Sequence, residues 1–152
     1  MGLPDEAVDL LLVEDNQYDA ELALRAFRRN ATAHRVQWVR DGEEALDFMF
    51  RTGKFEQRPA EQQPRLILLD LKLPRVDGIE VLRKLKTNPR TREVPIVMLT
   101  SSAEERDLAE CYRLGVNSYI VKPIDFSQFI DLVADIDSYW MRINRLPAPH
   151  LP

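Results

Sequence analysis

Apolar positions along this chain fall into two kinds of run. Strand signals appear at Val8–Val13, Arg35–Val39, Leu66–Asp70, Pro95–Leu99 and Ser118–Val121. The runs at Leu10–Val13 and Leu66–Leu69 are continuous rather than alternating, as in strands buried on both faces. Between and after these runs the pattern turns helical, at Tyr18–Arg29, Glu43–Arg51, Ile79–Lys86, Glu104–Leu114 and Phe126–Ile143. In the first of these, Ala20, Ala23, Leu24 and Phe27 recur at helical spacing and supply a core face. Strict strand–helix alternation predicts an α/β fold, a doubly wound five-stranded parallel sheet with helices on both faces. Right-handed crossovers leave few topologies, and the expected order is 2-1-3-4-5. That order puts a switch point between strands one and three, and ligands bind there, outside the carboxyl ends.

The breaks agree with this layout. Gly53 after Thr52 and Gly115 after Leu114 stand where left-handed residues close the second and fourth helices. Asn88-Pro89 closes the third. The polar stretch "KFEQRPAEQQPR", Lys54 to Arg65, reads as a surface loop with no internal chemistry. A single domain over 1–146 is expected, followed by a proline-rich tail over 147–152. In the last helix the apolar arc is about 200° wide, against the ~100° that one packed face needs. Its middle, with Phe126, Phe129, Val133 and Trp140, should face the sheet, which leaves Leu132, Tyr139 and Ile143 beside helix four. A homodimer through helix four, strand five, helix five and the tail is the expectation. The alternative is that the tail folds back over its own domain.

Composition narrows the class. A chain of 152 residues, 45% hydrophobic and 30% charged, suits one globular domain with a sizeable core. No apolar stretch approaches the roughly 20 residues of a membrane span, and no signal peptide opens the chain, so the cytoplasm is the default location. A formal charge of −4 gives no footprint for nucleic acid. The one cysteine, Cys111, rules out an internal disulfide framework and reads as a small packed hydrophobe in a helix.

Candidate chemistry gathers at the strand ends. The first strand stops at Glu14 and Asp15, with Asn16 behind them. Asp15 or Asn16 can serve simply as a helix cap. Two adjacent acids at the carboxyl end of a parallel strand can also hold a hard cation. Asp70 ends the third strand, so Glu14, Asp15 and Asp70 converge at the switch point. Crowded carboxylates either raise their pKa values or take a divalent cation, for which Mg²⁺ fits best. Strand four ends at Thr100, Ser101 and Ser102, and strand five at Lys122. A metal and a lysine to neutralise phosphoryl oxygens, a threonine to donate to one of them and Asp70 as nucleophile make up a phosphoryl-transfer site. A cis Lys122–Pro123 bond would turn the lysine inward.

"VEDN", "LLDLKLPRVDG", "VMLTSS" and "YIVKP", taken in this order, resemble the response-regulator receiver domain of two-component signalling over about Val8 to Trp140. The resemblance implies a flavodoxin-like (βα)5 fold and a signalling domain that catalyses its own phosphorylation and dephosphorylation. It implies Asp70 as phosphoacceptor and Mg²⁺ on Glu14, Asp15, Asp70 and the backbone carbonyl of Lys72. Thr100, Ser101 and Lys122 are implied around the phosphoryl group. Thr100 with Tyr119 is the implied switch, although Tyr119 also reads as a plain half-buried strand aromatic. Asn16, Gln17 and Tyr18 are the implied docking residues for a sensor histidine kinase. Glu14 stands where the family more often has Asp. The loop before strand three and the ending "SYWMRINRLP" look like single-domain regulators paired with bacterial and cyanobacterial phytochrome kinases. A Mg²⁺-dependent phosphatase of the dehalogenase type is the alternative. It needs an acid two residues after its nucleophile, where this chain has Lys72. A receiver-like scaffold that is never phosphorylated would be expected to have lost site residues, and none is missing.

Overall fold

The apolar runs become the five central strands in a computed structural model that describes residues 7–29, 35–60 and 62–147. The elements are β1 (Leu10–Val13), α1 (Gln17–Arg29), β2 (Val36–Val39), α2 (Gly42–Phe50), β3 (Leu66–Leu69), α3 (Gly78–Thr87), β4 (Ile96–Thr100), α4 (Glu105–Arg113), β5 (Ser118–Val121) and α5 (Phe126–Asp137). All strand pairs are parallel, in the order β2-β1-β3-β4-β5. This is the expected doubly wound arrangement.

Strand periodicity divides the core in two. Leu11, Val13, Ile67, Leu69, Ile96 and Met98 face one layer, together with Phe48 of α2, Leu82 of α3 and Cys111 of α4. Leu10, Leu12, Leu66, Leu68, Val97 and Leu99 face the other, against Phe27 of α1 and Val133 of α5. Each side chain along a central strand is therefore wrapped from above or below, which is why the runs are unbroken. Truncating one of them, such as Leu68 (1% exposed), should cost about 2–5 kcal/mol through the cavity it leaves. Cys111 is fully buried, and burial, reinforced by Asp107, pushes its thiol up to about 11, so it packs as the hydrophobe expected.

Side-chain caps start most helices. Asp41, Asp77 and Asp125 accept the N–H groups of Glu44, Glu80 and Gln128 at 2.8, 3.0 and 3.0 Å. Gly78 is required by close approach: a Cβ there would lie 2.1 Å from the Asp70 carbonyl oxygen. The first turn of α3 thus presses directly on the end of β3.

Several local expectations need correction. Gly53 is left-handed, at φ 56°, as expected, but it lies beyond the residue that closes α2. Arg51 takes the left-handed conformation at φ 59°, and Thr52 ties back to Asp47 through its N–H and its hydroxyl. Gly53 instead opens a 3₁₀ turn, Gly53–Phe55. The loop beyond it is not inert. Phe55 packs edge-on against Phe48 at 5.1 Å, and the Arg58 guanidinium lies 3.6 Å over the Phe48 ring. In the last helix the α-helical rotation fails after Asp137, where a π-helical turn, Ser138–Ile143, takes over. A wider turn advances fewer degrees per residue, so the arc drawn at α-helical spacing is wrong there. Met141 is buried and Trp140 only partly so, while Phe126, expected against the sheet, is 53% exposed. Phe129 and Val133 face the core as expected, Tyr139 and Ile143 are exposed, and Leu132 packs partly against the core. The Lys122–Pro123 bond is trans. Residues 148–152 of the tail lie outside the described residues.

Candidate functional site

The sheet ladder fixes where the charged groups sit. Glu14 follows β1 directly, and its N–H donates to Val39 O at 3.1 Å. Its carbonyl accepts the Trp38 indole N–H at 2.8 Å. The N–H of Asp70 donates to Val13 O at 3.1 Å, which keys the end of β3 to the end of β1. Lys122 is keyed in the same way, through its N–H to Thr100 O at 2.7 Å. Glu14, Asp15 and Asp70 consequently each bring a carboxylate oxygen within 4.8 Å of the others. Glu14 is 4% exposed and Asp70 9%, whereas Asp15 reaches into solvent.

Two buried acids so close are costly: a like-charged pair at 4 Å repels by ~4 kcal/mol at an effective dielectric of 20. Burial pushes the Glu14 carboxyl up to about 7 against the pull of Lys122, and Asp70 adds to the rise. The Lys122 ammonium offsets part of this charge, at 2.6 Å from Glu14 Oε1, 3.0 Å from Asp19 Oδ2 and 3.2 Å from Asp70 Oδ2. Burial by itself would depress that ammonium. Asp70 and Glu14 outweigh it and hold the lysine above its usual range. The crowded all-oxygen donor set suits a hard divalent cation, which would take up the charge that one lysine leaves over.

At the rim Thr100 is 1% exposed, and its hydroxyl oxygen accepts the Ser102 N–H at 3.3 Å. Ser101 is exposed. The Ser102 hydroxyl turns to Asp107 at 2.6 Å, while its carbonyl accepts the Tyr119 hydroxyl at 2.9 Å. Tyr119 is half-buried against the first core layer. Beside the acids opens a cleft of about 540 Å³, lined by Asp15, Lys72, Pro74, Asp77 and Glu104 among others.

The sequence profile of the response regulator receiver domain matches residues 10–134. The chain belongs to this receiver family. Among its relatives, the probable methanogenesis regulatory protein FilR2 of Methanothrix harundinacea is 43% identical over 140 residues, 92% of this chain and 88% of the relative. Response regulator Rcp1 of Synechocystis is 38% identical over 139 residues, 91% of this chain and 92% of Rcp1. The crystal structure of its Mn²⁺-bound form superimposes with a TM-score of 0.86, covering 93% of this chain and 99% of that one. The phosphorylated cyanobacterial phytochrome response regulator RcpA is also 38% identical with a TM-score of 0.86, over 91% of this chain and 96% of its own.

In this receiver the structure brings Glu14, Asp15, Asp70 and Lys122 together and sets Thr100 at the end of the adjoining strand. Lys72 is exposed and lines the cleft. Asn16, Gln17 and Tyr18 are exposed at the head of α1. The Asn16 side chain accepts the Asp19 N–H at 3.0 Å, so it also caps that helix. One partner of the receiver's lysine was missed in the sequence. Asp19 looks like an ordinary first-turn acid complementing the helix dipole, and nothing short of the α1–β5 arrangement reveals its reach to Lys122. Among the described residues no helix is long and apolar enough to cross a membrane.

Proposed function

We propose that this receiver accepts a phosphoryl group on Asp70 from the phosphohistidine of a sensor histidine kinase and relays the change through its α4–β5–α5 surface. The observation that carries the reading is the near-buried Asp70 carboxylate, 3.2 Å from Lys122 and within the three-acid cluster. A carboxylate oxygen of Asp70 attacks phosphorus, the P–O bond forms, the P–N bond breaks and the imidazole leaves. Glu14, Asp15, Asp70 and the Lys72 carbonyl would hold Mg²⁺, which would supply positive charge to neutralise the transferring group. Lys122 and Thr100 bind phosphoryl oxygens, with Ser101 at the edge. The 540 Å³ cleft leaves the donor room to approach.

Thr100 moving toward the phosphoryl group opens space behind it. Tyr119 then leaves the Ser102 carbonyl and turns inward, and the outer surface changes shape. The kinase docks on Asn16, Gln17 and Tyr18, and the exposed Ile124 and Phe126 before and within α5 offer further apolar contact. The likeness to RcpA supports a phytochrome kinase as that partner. Residues 1–146 act as one cytoplasmic receiver unit. Two copies associate through Leu132, Tyr139 and Ile143, with the tail across the partner. Acetyl phosphate with Mg²⁺, followed by intact mass, tests the chemistry. The native chain should gain one phosphoryl group, and no gain would remove the reading.

A further inference from the structure

All three hydrogens of the Lys122 ammonium are engaged, by Glu14, Asp19 and Asp70. Two of these carboxylates belong to the cluster that can hold a cation, and Asp19 does not. Asp19 is also excused from the task that its position suggests. An acid at the third residue of a helix commonly reaches back to the N–H of the capping residue. Here that N–H, of Asn16, is already taken by Glu14 Oε2 at 3.0 Å. The Asp19 carboxylate is thereby left to cross to the end of β5, where it meets a lysine side chain that is 8% exposed.

A divalent cation and Lys122 draw on the same two carboxylates, Glu14 and Asp70, and repel each other. We propose that Asp19 is a positioning residue that retains the Lys122 ammonium at the edge of the site when the cation claims Glu14 and Asp70. The lysine then waits within reach of the acceptor instead of swinging into solvent. This rests on the phosphoacceptor reading above for its purpose, though not for its test.

The Nζ resonance of a lysine ammonium is seen in ¹⁵N NMR when hydrogen bonds hold the group, and its loss from Lys122→Arg identifies it. In the native chain it should survive titration with MgCl₂. In Asp19→Asn, which preserves shape and helix but not charge, it should be present without Mg²⁺ and vanish as Mg²⁺ is added. Phosphorylation of that variant by acetyl phosphate should slow about fivefold, the scale of one part-exposed ion pair. A resonance that persists in Asp19→Asn with saturating Mg²⁺, or disappears from the native chain, overturns the proposal. If instead Asp70→Asn still gains phosphoryl mass, the acceptor assignment fails while the Mg²⁺ dependence of the lysine signal is judged separately.

Discussion

Two lysines, one at each pole of the sheet, are drawn out of solvent in opposite ways. Lys122 at the carboxyl pole faces three carboxylates, which hold its ammonium above the usual range despite burial. Lys86, at the end of α3, faces neutral acceptors at the amino pole: Arg92 O at 3.1 Å, Val94 O at 3.0 Å and Asn117 Oδ1 at 3.0 Å. Burial lowers its pKa. The same side chain thus staples loops at one end and balances a surplus of negative charge at the other. Neutral acceptors leave a settled structure, whereas unbalanced acids leave a site that gains by taking up another positive group.

The largest effect should come from breaking the carboxyl pole alone. Asp70→Asn should abolish phosphoryl mass gain entirely, as should EDTA with the native chain. Next comes pH, acting through Glu14. Its folded-state value near 7 lies above the ordinary 4.5, so protonation favours the folded, cation-free chain. The stability it contributes is present below 4.5 and is lost as pH rises through about 7. Cation binding has the opposite dependence because it needs the carboxylate. Calorimetry with Mn²⁺ should find about tenfold tighter binding at pH 8 than at pH 6, one proton being released across that pKa. A flat profile would mean that Glu14 is not a ligand.

The amino pole breaks differently. Lys86→Met should cost about 1–3 kcal/mol through lost hydrogen bonds. The melting temperature should fall by roughly 2–4 °C per kcal/mol, with Mn²⁺ affinity unchanged. A change in affinity would show that the poles are coupled. The smallest effect on either pole should come from Ile143→Glu, an exposed site where stability should shift by no more than about 0.5 kcal/mol. Its readout is mass by light scattering at micromolar concentration, where a dimer should become a monomer. A native chain that is already monomeric, with and without acetyl phosphate, discards the association.

What was legible in the sequence follows from how local each signal is. The runs at Leu10–Val13 and Leu66–Leu69 declare double-sided burial without help from other elements, and the strand order follows from chain connectivity. Glu14, Asp15, Asp70, Thr100 and Lys122 were visible because each ends or follows a strand whose neighbours were already known. Asp19 was not, because its partner lies 103 residues away and its own position has an ordinary helical explanation. Trp140 was misplaced for a geometric reason, since a helical wheel carries one angle through a segment that changes its angle at Ser138. Phe126 lies before that change, at the first residue of α5, and is exposed there. The packing of Arg58 on Phe48 escaped notice because polar, proline-containing loops carry no periodicity to read.

The indole of Trp38 makes the molecule its own indicator. Its N–H is bonded to the carbonyl of Glu14, and the Arg40 guanidinium lies 4.5 Å from the ring centroid. Any change of charge on the neighbouring carboxylates alters the field across that chromophore, and with it the colour of its emission. The second tryptophan, Trp140, stands edge-on to Tyr139 at 5.0 Å, on the turn that ends the last helix. Excited together, the two report from separate places, one on loading of the acidic pocket and the other on what covers the helix end. Replacing either with phenylalanine isolates the other channel, so the order of the two events can be timed in a stopped-flow instrument without attaching a dye.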